Sequence, residues 1–229
     1  MSSELSAQDI STERQDYLKM VYHLQDTENP VRTTTIARAM SVEPASVTGV
    51  IKRLAEINLL DYVPYKGVSL TEQGEKIALV IIRNHRLIEL FLVEKLGYSW
   101  DEVHEEAERL EHVVTPRFIE RIDRVLGHPV IDPHGEPIPT EDGYIEPRGG
   151  VPLSESEPGT SGIICRVDDQ DPELLRYLTS LEIKPGKRVE IVSHEPYGGS
   201  LTLLIEEDNT RSIGVEAAKH VFMELDTAD

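Results

Sequence analysis

Between residues 128 and 159 the chain carries Pro129, Pro133, Pro137, Pro139, Pro147, Gly149, Gly150, Pro152 and Pro158, with acidic residues among them. Proline offers no amide hydrogen and glycine weakens a regular element, so this stretch can continue neither a helix nor a central strand. It reads as a linker or extended segment, and it divides the chain in two. The 229 residues leave room for more than one domain. The C-terminal part is strand-rich: 163–167, 188–194, 201–205 and 221–225 carry strand patterns, with one helix at 172–181. A small five-stranded SH3-like β-barrel is expected there.

The N-terminal part is mostly helical. Residues 9–25 form an amphipathic pattern with Tyr17, Met20, Val21 and Leu24 as its stripe, and Ser11 or Thr12 is placed to cap it. Asn29-Pro30 breaks the pattern. A short helix suits 34–40, a tight turn suits Ser41-Val42-Glu43, and Pro44 fits the first turn of a helix running to about Ile57. Two β-prone runs, 59–63 and 68–71, flank Pro64-Tyr65-Lys66-Gly67 and read as a hairpin. Helix, turn, helix and hairpin in that order predict a winged helix-turn-helix. Three more helices come after it: a long apolar one from about Thr71 to Gly97, one over 101–114, and one from Pro116 to Gly127. Their apolar surface exceeds what one short bundle hides, which predicts a homodimer.

The net charge of −19 argues against nucleic acid when taken whole. From Val31 to Gly74, however, Arg32, Arg38, Lys52, Arg53 and Lys66 stand against Glu43, Glu56, Asp61 and Glu72, a net of +1. That segment permits DNA contact. A single cysteine, Cys165, rules out an intrachain disulfide, and residues 1–10 lack a basic start and apolar core, so a cytoplasmic protein is expected. No apolar run is long enough to span a bilayer, and no membrane partner is expected.

His104, Glu108, Glu111 and His112 stand at i, i+4, i+7 and i+8 in the 101–114 helix, an arc of about 100°. Val103, Ala107, Leu110 and Val114 form a separate apolar stripe. The preceding helix adds His85 and Glu89, again i and i+4. A single His–Glu pair is usually a solvated surface pair. Two helices with matching pairs favour a metal, and imidazole with carboxylate suits Mn, Fe, Zn or Co. Enzyme motifs are missing: there is no HExxH, no GxSxG and no phosphate loop. The chain is therefore not expected to be an enzyme. A metal-dependent hydrolase and a metal-buffering protein are the competing classes.

Asp16-Tyr17-Leu18-Lys19, the hairpin with Leu70-Thr71-Glu72-Gln73-Gly74, Arg83-Asn84-His85-Arg86-Leu87 and the run from Val103 to His112 resemble the diphtheria-toxin-repressor-like metalloregulators. The likeness is nearest to the three-domain manganese-dependent repressors of actinobacteria and spans nearly the whole chain. It implies an α+β protein: a winged helix-turn-helix DNA-binding domain over 1–74, a helical metal-binding and dimerisation domain over 75–147, a linker over 148–159 and an SH3-like domain over 160–229. It also implies two metal sites per chain. The primary, activating site takes Asp16, Glu108, Glu111 and His112. The ancillary site takes His85, Glu89 and His104, with Asp168 or Asp169 completing it.

Iron-sensing members of that family place Met and Cys where this chain has Asp16 and Glu108. Hard oxygen donors make Mn(II) the expected ion, with Fe(II) the alternative. Short manganese repressors carry Glu where this chain has Lys19, which argues against a tightly coupled two-manganese cluster built on that Glu. The implied function is a metal-activated repressor of metal-homeostasis genes, bound as a dimer to double-stranded operator DNA. On the recognition helix Ser46, Thr48 and Gly49 face the bases, although Ser46 and Thr48 could equally serve as helix N-terminal caps, and Lys52 and Arg53 suit phosphate. Thr33, Thr34 and Lys66 are further phosphate candidates.

Overall fold

The computed structural model describes residues 5–168, 171–206 and 208–226. The chain forms two compact units, residues 1–84 with 139–145, and residues 85–138 with 146–229. No helix is long and apolar enough to cross a membrane.

The first unit opens with α1 (Thr12–Leu24), α2 (Thr33–Ala39) and α3 (Pro44–Glu56). Ser11 is the residue before α1, yet its side chain makes no capping hydrogen bond. Pro44 opens α3 as expected, and its four apolar positions Val47, Val50, Ile51 and Leu54 are buried. Thr48 does not cap: its hydroxyl donates back to the Pro44 carbonyl at 3.1 Å. Strands β1 (Leu60–Val63) and β2 (Gly67–Leu70) pair antiparallel, Leu60 opposite Leu70 and Val63 opposite Gly67. Val31 bonds the free edge of β2, its amide to the Val68 carbonyl at 2.8 Å and the reverse at 2.9 Å. The wing is therefore a three-stranded base with β2 at its centre. The core joins Leu18 and Val21 of α1, Ile36 of α2, α3's stripe, and Leu59 and Val68. α4 (Glu72–Leu96) starts in this unit, where Gly74 sits so close to the wing that a Cβ would lie 1.9 Å from the Leu59 carbonyl oxygen.

The second unit holds the rest of α4, α5 (Val103–Leu110) and α6 (Pro116–Leu126). α5 is shorter than the 101–114 expected. Glu111 is its C-cap, and His112 lies in the turn beyond. α6 is capped by Thr115, whose hydroxyl accepts from the Phe118 amide, and it ends on left-handed Gly127. Leu87, Ile88, Val103, Ala107, Ile119 and Ile122 form a helical core.

Six strands make the C-terminal sheet: β3 (Val151–Pro152), β4 (Ser161–Val167), β5 (Arg188–His194), β6 (Ser200–Ile205), β7 (Asn209–Gly214) and β8 (Val221–Leu225), in the order β3-β8-β4-β5-β6-β7, every neighbour antiparallel. α7 (Pro172–Ser180), capped by Asp171, follows β4. Two strands went unread in the sequence. β7 is an edge strand, Asn-Thr-Arg-Ser-Ile-Gly, with only Ile213 buried, so it carries no apolar alternation. β3 is two residues long and lies inside the stretch read as linker. That stretch is built into the fold: Asp132, His134 and Glu136 are all buried, and Leu153 is fully so.

Candidate metal centre

α4 places His85 and Glu89 one turn apart on its buried face. His85 is 6 % exposed and Glu89 is 0 %. α5 brings up His104, and its end brings up Glu111. His85 Nε2 lies 2.9 Å from Glu89 Oε1, and Nδ1 lies 2.5 Å from Glu111 Oε2. His104 Nδ1 is 3.2 Å from both His85 Nε2 and Glu89 Oε1. Glu108 Oε1 approaches His104 Nε2 at 3.8 Å and His85 Nδ1 at 4.0 Å. His112 Nε2 stands 3.2 Å from Glu111 Oε1. So the predicted residues of α4 and α5 do converge. The donor atoms of His85, His104 and Glu108 lie within 4.8 Å of one another.

Burial pushes the His85 pKa down, but the Glu89 and Glu111 carboxylates outweigh it and raise the value to about 10. Burial likewise works to raise the Glu89 pKa, yet His85, His104 and His134 hold it well below the usual carboxylate range. Without another cation, a proton on His85 balances this buried negative charge.

A second group was not expected from the sequence. Glu89, Asp132 and His134, all buried, also bring donor atoms within 4.8 Å of one another. Asp132 Oδ1 accepts the backbone amides of His134 at 2.8 Å and Glu136 at 2.9 Å, which fixes the turn. His134 stacks on Trp100 with ring centroids 5.7 Å apart, and its Nε2 is 2.8 Å from the Trp100 carbonyl oxygen. A carbonyl can only accept, so Nε2 carries a hydrogen, and Nδ1 faces Glu89 Oε2, 3.9 Å away. Glu89 Oε2 is buried and has no hydrogen-bond partner among the described residues. A carboxylate oxygen held in a dry site calls for positive charge beside it, which a cation among these donors would supply. A backbone carbonyl holding the far nitrogen of an imidazole is also the usual support for a metal-ligating histidine. Residues 132–136 form a turn, the Gly135 amide reaching the Asp132 carbonyl at 3.2 Å, so no strand or helix period in the sequence marks them.

Glu136 meets Arg86 at 2.9 Å, Arg148 at 2.9 Å and Arg166 at 3.2 Å. Arg86 also approaches Asp132 at 3.7 Å. This buried network frames the second group. Asp168 stands apart from both groups: it pairs with Arg166 at 3.2 Å and His220 at 2.7 Å. Asp169 lies outside the described residues. Asp16, half-buried on α1, belongs to the first unit.

In the first unit the predicted DNA-facing residues lie on α2, α3 and the wing. Ser46, Lys52 and Arg53 are exposed on α3, with Thr48 and Gly49 half-buried between them. Thr33 and Thr34 open α2, and Lys66 is exposed at the wing tip.

Residues 9–68 match the model of the iron dependent repressor N-terminal DNA binding domain. Residues 71–140 match the iron dependent repressor metal binding and dimerisation domain, and 151–225 match the FeoA domain. An uncharacterized HTH-type transcriptional regulator of Methanocaldococcus jannaschii is 35% identical over 114 residues, 49% of this chain and 91% of that protein. The iron-dependent repressor IdeR of Mycobacterium tuberculosis is 29% identical over 223 residues, 91% of this chain and 95% of that one. Among solved structures, a manganese-dependent transcriptional repressor in complex with manganese superimposes with a TM-score of 0.86 at 38% identity, covering 93% of this chain and 99% of the other. With a DNA-binding domain, a metal-binding and dimerisation domain and a FeoA domain in one order along its length, the chain belongs to the iron-dependent, diphtheria-toxin-repressor-like family of metal-dependent, DNA-binding transcriptional repressors.

Proposed function

We propose that this chain is a Mn(II)-activated, homodimeric repressor that binds double-stranded operator DNA. The observation that carries the metal reading is the buried Glu89 carboxylate. One of its oxygens is met by His85 and His104, and the other, buried with no hydrogen-bond partner among the described residues, faces His134 Nδ1 at 3.9 Å. A bound divalent cation supplies the positive charge this arrangement calls for. The donors in these groups are imidazoles and carboxylates, which suits Mn(II) and Fe(II) above softer ions. Fe(II) is the second reading, supported by the iron dependence in the name of the Mycobacterium tuberculosis relative.

The proposal places two sites in each chain. The ancillary site centres on Glu89 and takes in Asp132 and His134 besides His85 and His104. The primary site is carried over from the family resemblance: Asp16 with Glu108, Glu111 and His112. Its ligands belong to the DNA-binding domain on one side and to the end of α5 on the other. Without metal, these carboxylates repel one another and the junction loosens. With metal, differential affinity for one arrangement biases the hinge, which is what allosteric activation requires. Two winged helices at fixed spacing then enter successive major grooves. Ser46, Thr48 and Gly49 approach the bases, while Thr33, Thr34, Lys52, Arg53 and Lys66 meet phosphate.

The test is fluorescence anisotropy of a labelled duplex from the protein's own promoter, at one fixed salt concentration. Metal-stripped protein is titrated first, then protein with Mn(II), Fe(II) or Zn(II). The expected result is tight binding only with metal, and tightest with Mn(II). Equal binding without metal, or none with any metal, would refute the reading.

A further inference from the structure

The tip of the wing holds a residue that neither packing nor backbone preference explains. Tyr65 is wholly exposed, at 107 % of its reference area, so its ring packs against nothing in the unit. Its φ is 66°, the left-handed region. That region disfavours an L residue by about 1–2 kcal/mol, and a bulky aromatic there is an outlier. Glycine or asparagine is the residue such a turn favours. A strained, solvent-facing aromatic lowers stability with no return inside the fold; Tyr197 shares this geometry, so it is the place of Tyr65 on the wing of the DNA-binding domain, beside Lys66, that points to a partner.

The turn presents Tyr65 from a firm base. The Lys66 amide closes it onto the Val63 carbonyl at 3.0 Å. Below, β2 is bonded on both edges, by β1 and by Val31. The Ser69 hydroxyl bonds Asn29 Oδ1 at 2.8 Å, and the Leu70 amide donates to Gln25 Oε1 at 2.7 Å. Gly67 leaves no slack, since a Cβ there would lie 2.8 Å from the Val31 carbonyl oxygen. Lys66, beside it, supplies a cation at the same tip.

We infer that Tyr65 is a DNA-positioning residue of the wing, its ring laid against a deoxyribose and its hydroxyl donating to the neighbouring phosphate, next to the phosphate met by Lys66. An aromatic body with a polar end suits that amphipathic edge of the duplex. The contact is to sugar and phosphate, so it adds affinity without reading sequence. The inference rests on the DNA-binding reading above.

The chain contains its own control. Tyr197 follows Pro196 in the β5–β6 turn, is also wholly exposed at 104 %, and has φ 60°, but its neighbours are Glu195 and Gly198 in the FeoA domain. The experiment compares wild type, Tyr65→Gly, Tyr65→Phe, Lys66→Ala and Tyr197→Gly with Mn(II) present. Each is measured by anisotropy on the own-promoter duplex and on a random duplex of equal length, over a range of salt, and by thermal unfolding. Tyr65→Gly relieves the backbone, so its melting temperature is expected to hold or rise while affinity of the dimer for both duplexes falls about a hundredfold, about tenfold for the charge-assisted hydrogen bond of each of its two wings. Tyr65→Phe loses the hydroxyl and falls between. Because tyrosine is neutral, the slope of log affinity against log salt stays as in wild type, whereas Lys66→Ala lowers it by about 2, one phosphate contact per wing. Tyr197→Gly binds as wild type. If wild type binds both duplexes and Tyr65→Gly binds equally well, the inference falls alone. A loss confined to the promoter duplex overturns the backbone assignment. If wild type fails to bind DNA with any metal, the parent reading falls and takes this one with it.

Discussion

His134→Phe separates a metal ligand from a buried core histidine. Phenylalanine keeps the ring, its volume and the stack on Trp100, and removes both nitrogens. In the metal-free protein the Trp100 carbonyl loses its 2.8 Å donor, a cost of about 1–3 kcal/mol for an unsatisfied buried acceptor. The expected destabilisation without metal is therefore about 1–3 kcal/mol. The metal-dependent effect is read separately. Wild type at a free Mn(II) concentration 100 times the dissociation constant gains about 2.7 kcal/mol from that site. Such a gain raises the melting temperature by roughly 5–11 °C for a chain of this length. Loss of a protein ligand weakens the site by about 100-fold or more, since even its supporting residues are worth 10–100-fold. At the same Mn(II) concentration the gain then shrinks to about 0.4 kcal/mol, a degree or two. Isothermal titration of metal-stripped protein should show one fewer ion per chain, and thermal unfolding with and without Mn(II) should show the reduced shift. An unchanged stoichiometry and an unchanged metal-induced shift would show that Glu89, Asp132 and His134 form a polar core and not a metal site.

Three further outcomes are expected. Glu136→Ala leaves Arg86 and Arg166 buried without their shared carboxylate and should cost about 3–5 kcal/mol, read by chemical denaturation; a cost below 1 kcal/mol would show the network to be incidental. Gly74→Ala, which would drive a Cβ to 1.9 Å from the Leu59 carbonyl oxygen, should destabilise the first unit by about 3 kcal/mol or more, whereas Gly97→Ala meets no atom within 4 Å and should cost less, through backbone strain at φ +74° alone. For the metal-free protein, His85 titrates near 10 when folded against an ordinary value of 6.5, so its stabilising contribution is complete below pH 6.5 and is lost as pH rises toward 10. Denaturation midpoints measured in chelator across that window should fall, and substituting His85→Gln should flatten the fall.

The helix-turn-helix was legible because its signals are local: Pro44 opens α3, apolar residues recur at helical spacing, and Gly67 ends the wing turn. The helices that carry the histidine–glutamate pairs were legible for the same reason, since His85 with Glu89 and His104 with Glu108 are spaced by a helical turn. Asp132 and His134 were not, because proline and glycine around them suggest a tether, and nothing local reveals that Trp100, far upstream in the chain, closes over them. β7 was missed because an edge strand with one buried side chain has no pattern to show. Asp168 or Asp169 was placed at the ancillary site by likeness alone; Asp168 pairs with Arg166 and His220, and Asp169 lies outside the described residues.

Trp100 precedes α5 in sequence, yet its indole lies in the core of the C-terminal sheet, 7 % exposed, donating to Thr179 Oγ1 at 2.6 Å. Its carbonyl, meanwhile, fixes the His134 ring. One residue thus serves the C-terminal sheet with its side chain and the Glu89, Asp132 and His134 group with its backbone. This makes the sheet hard to discard. A chain cut back to its helices would expose an indole and unseat a histidine in the same stroke, so two losses in different parts of the protein would arrive together.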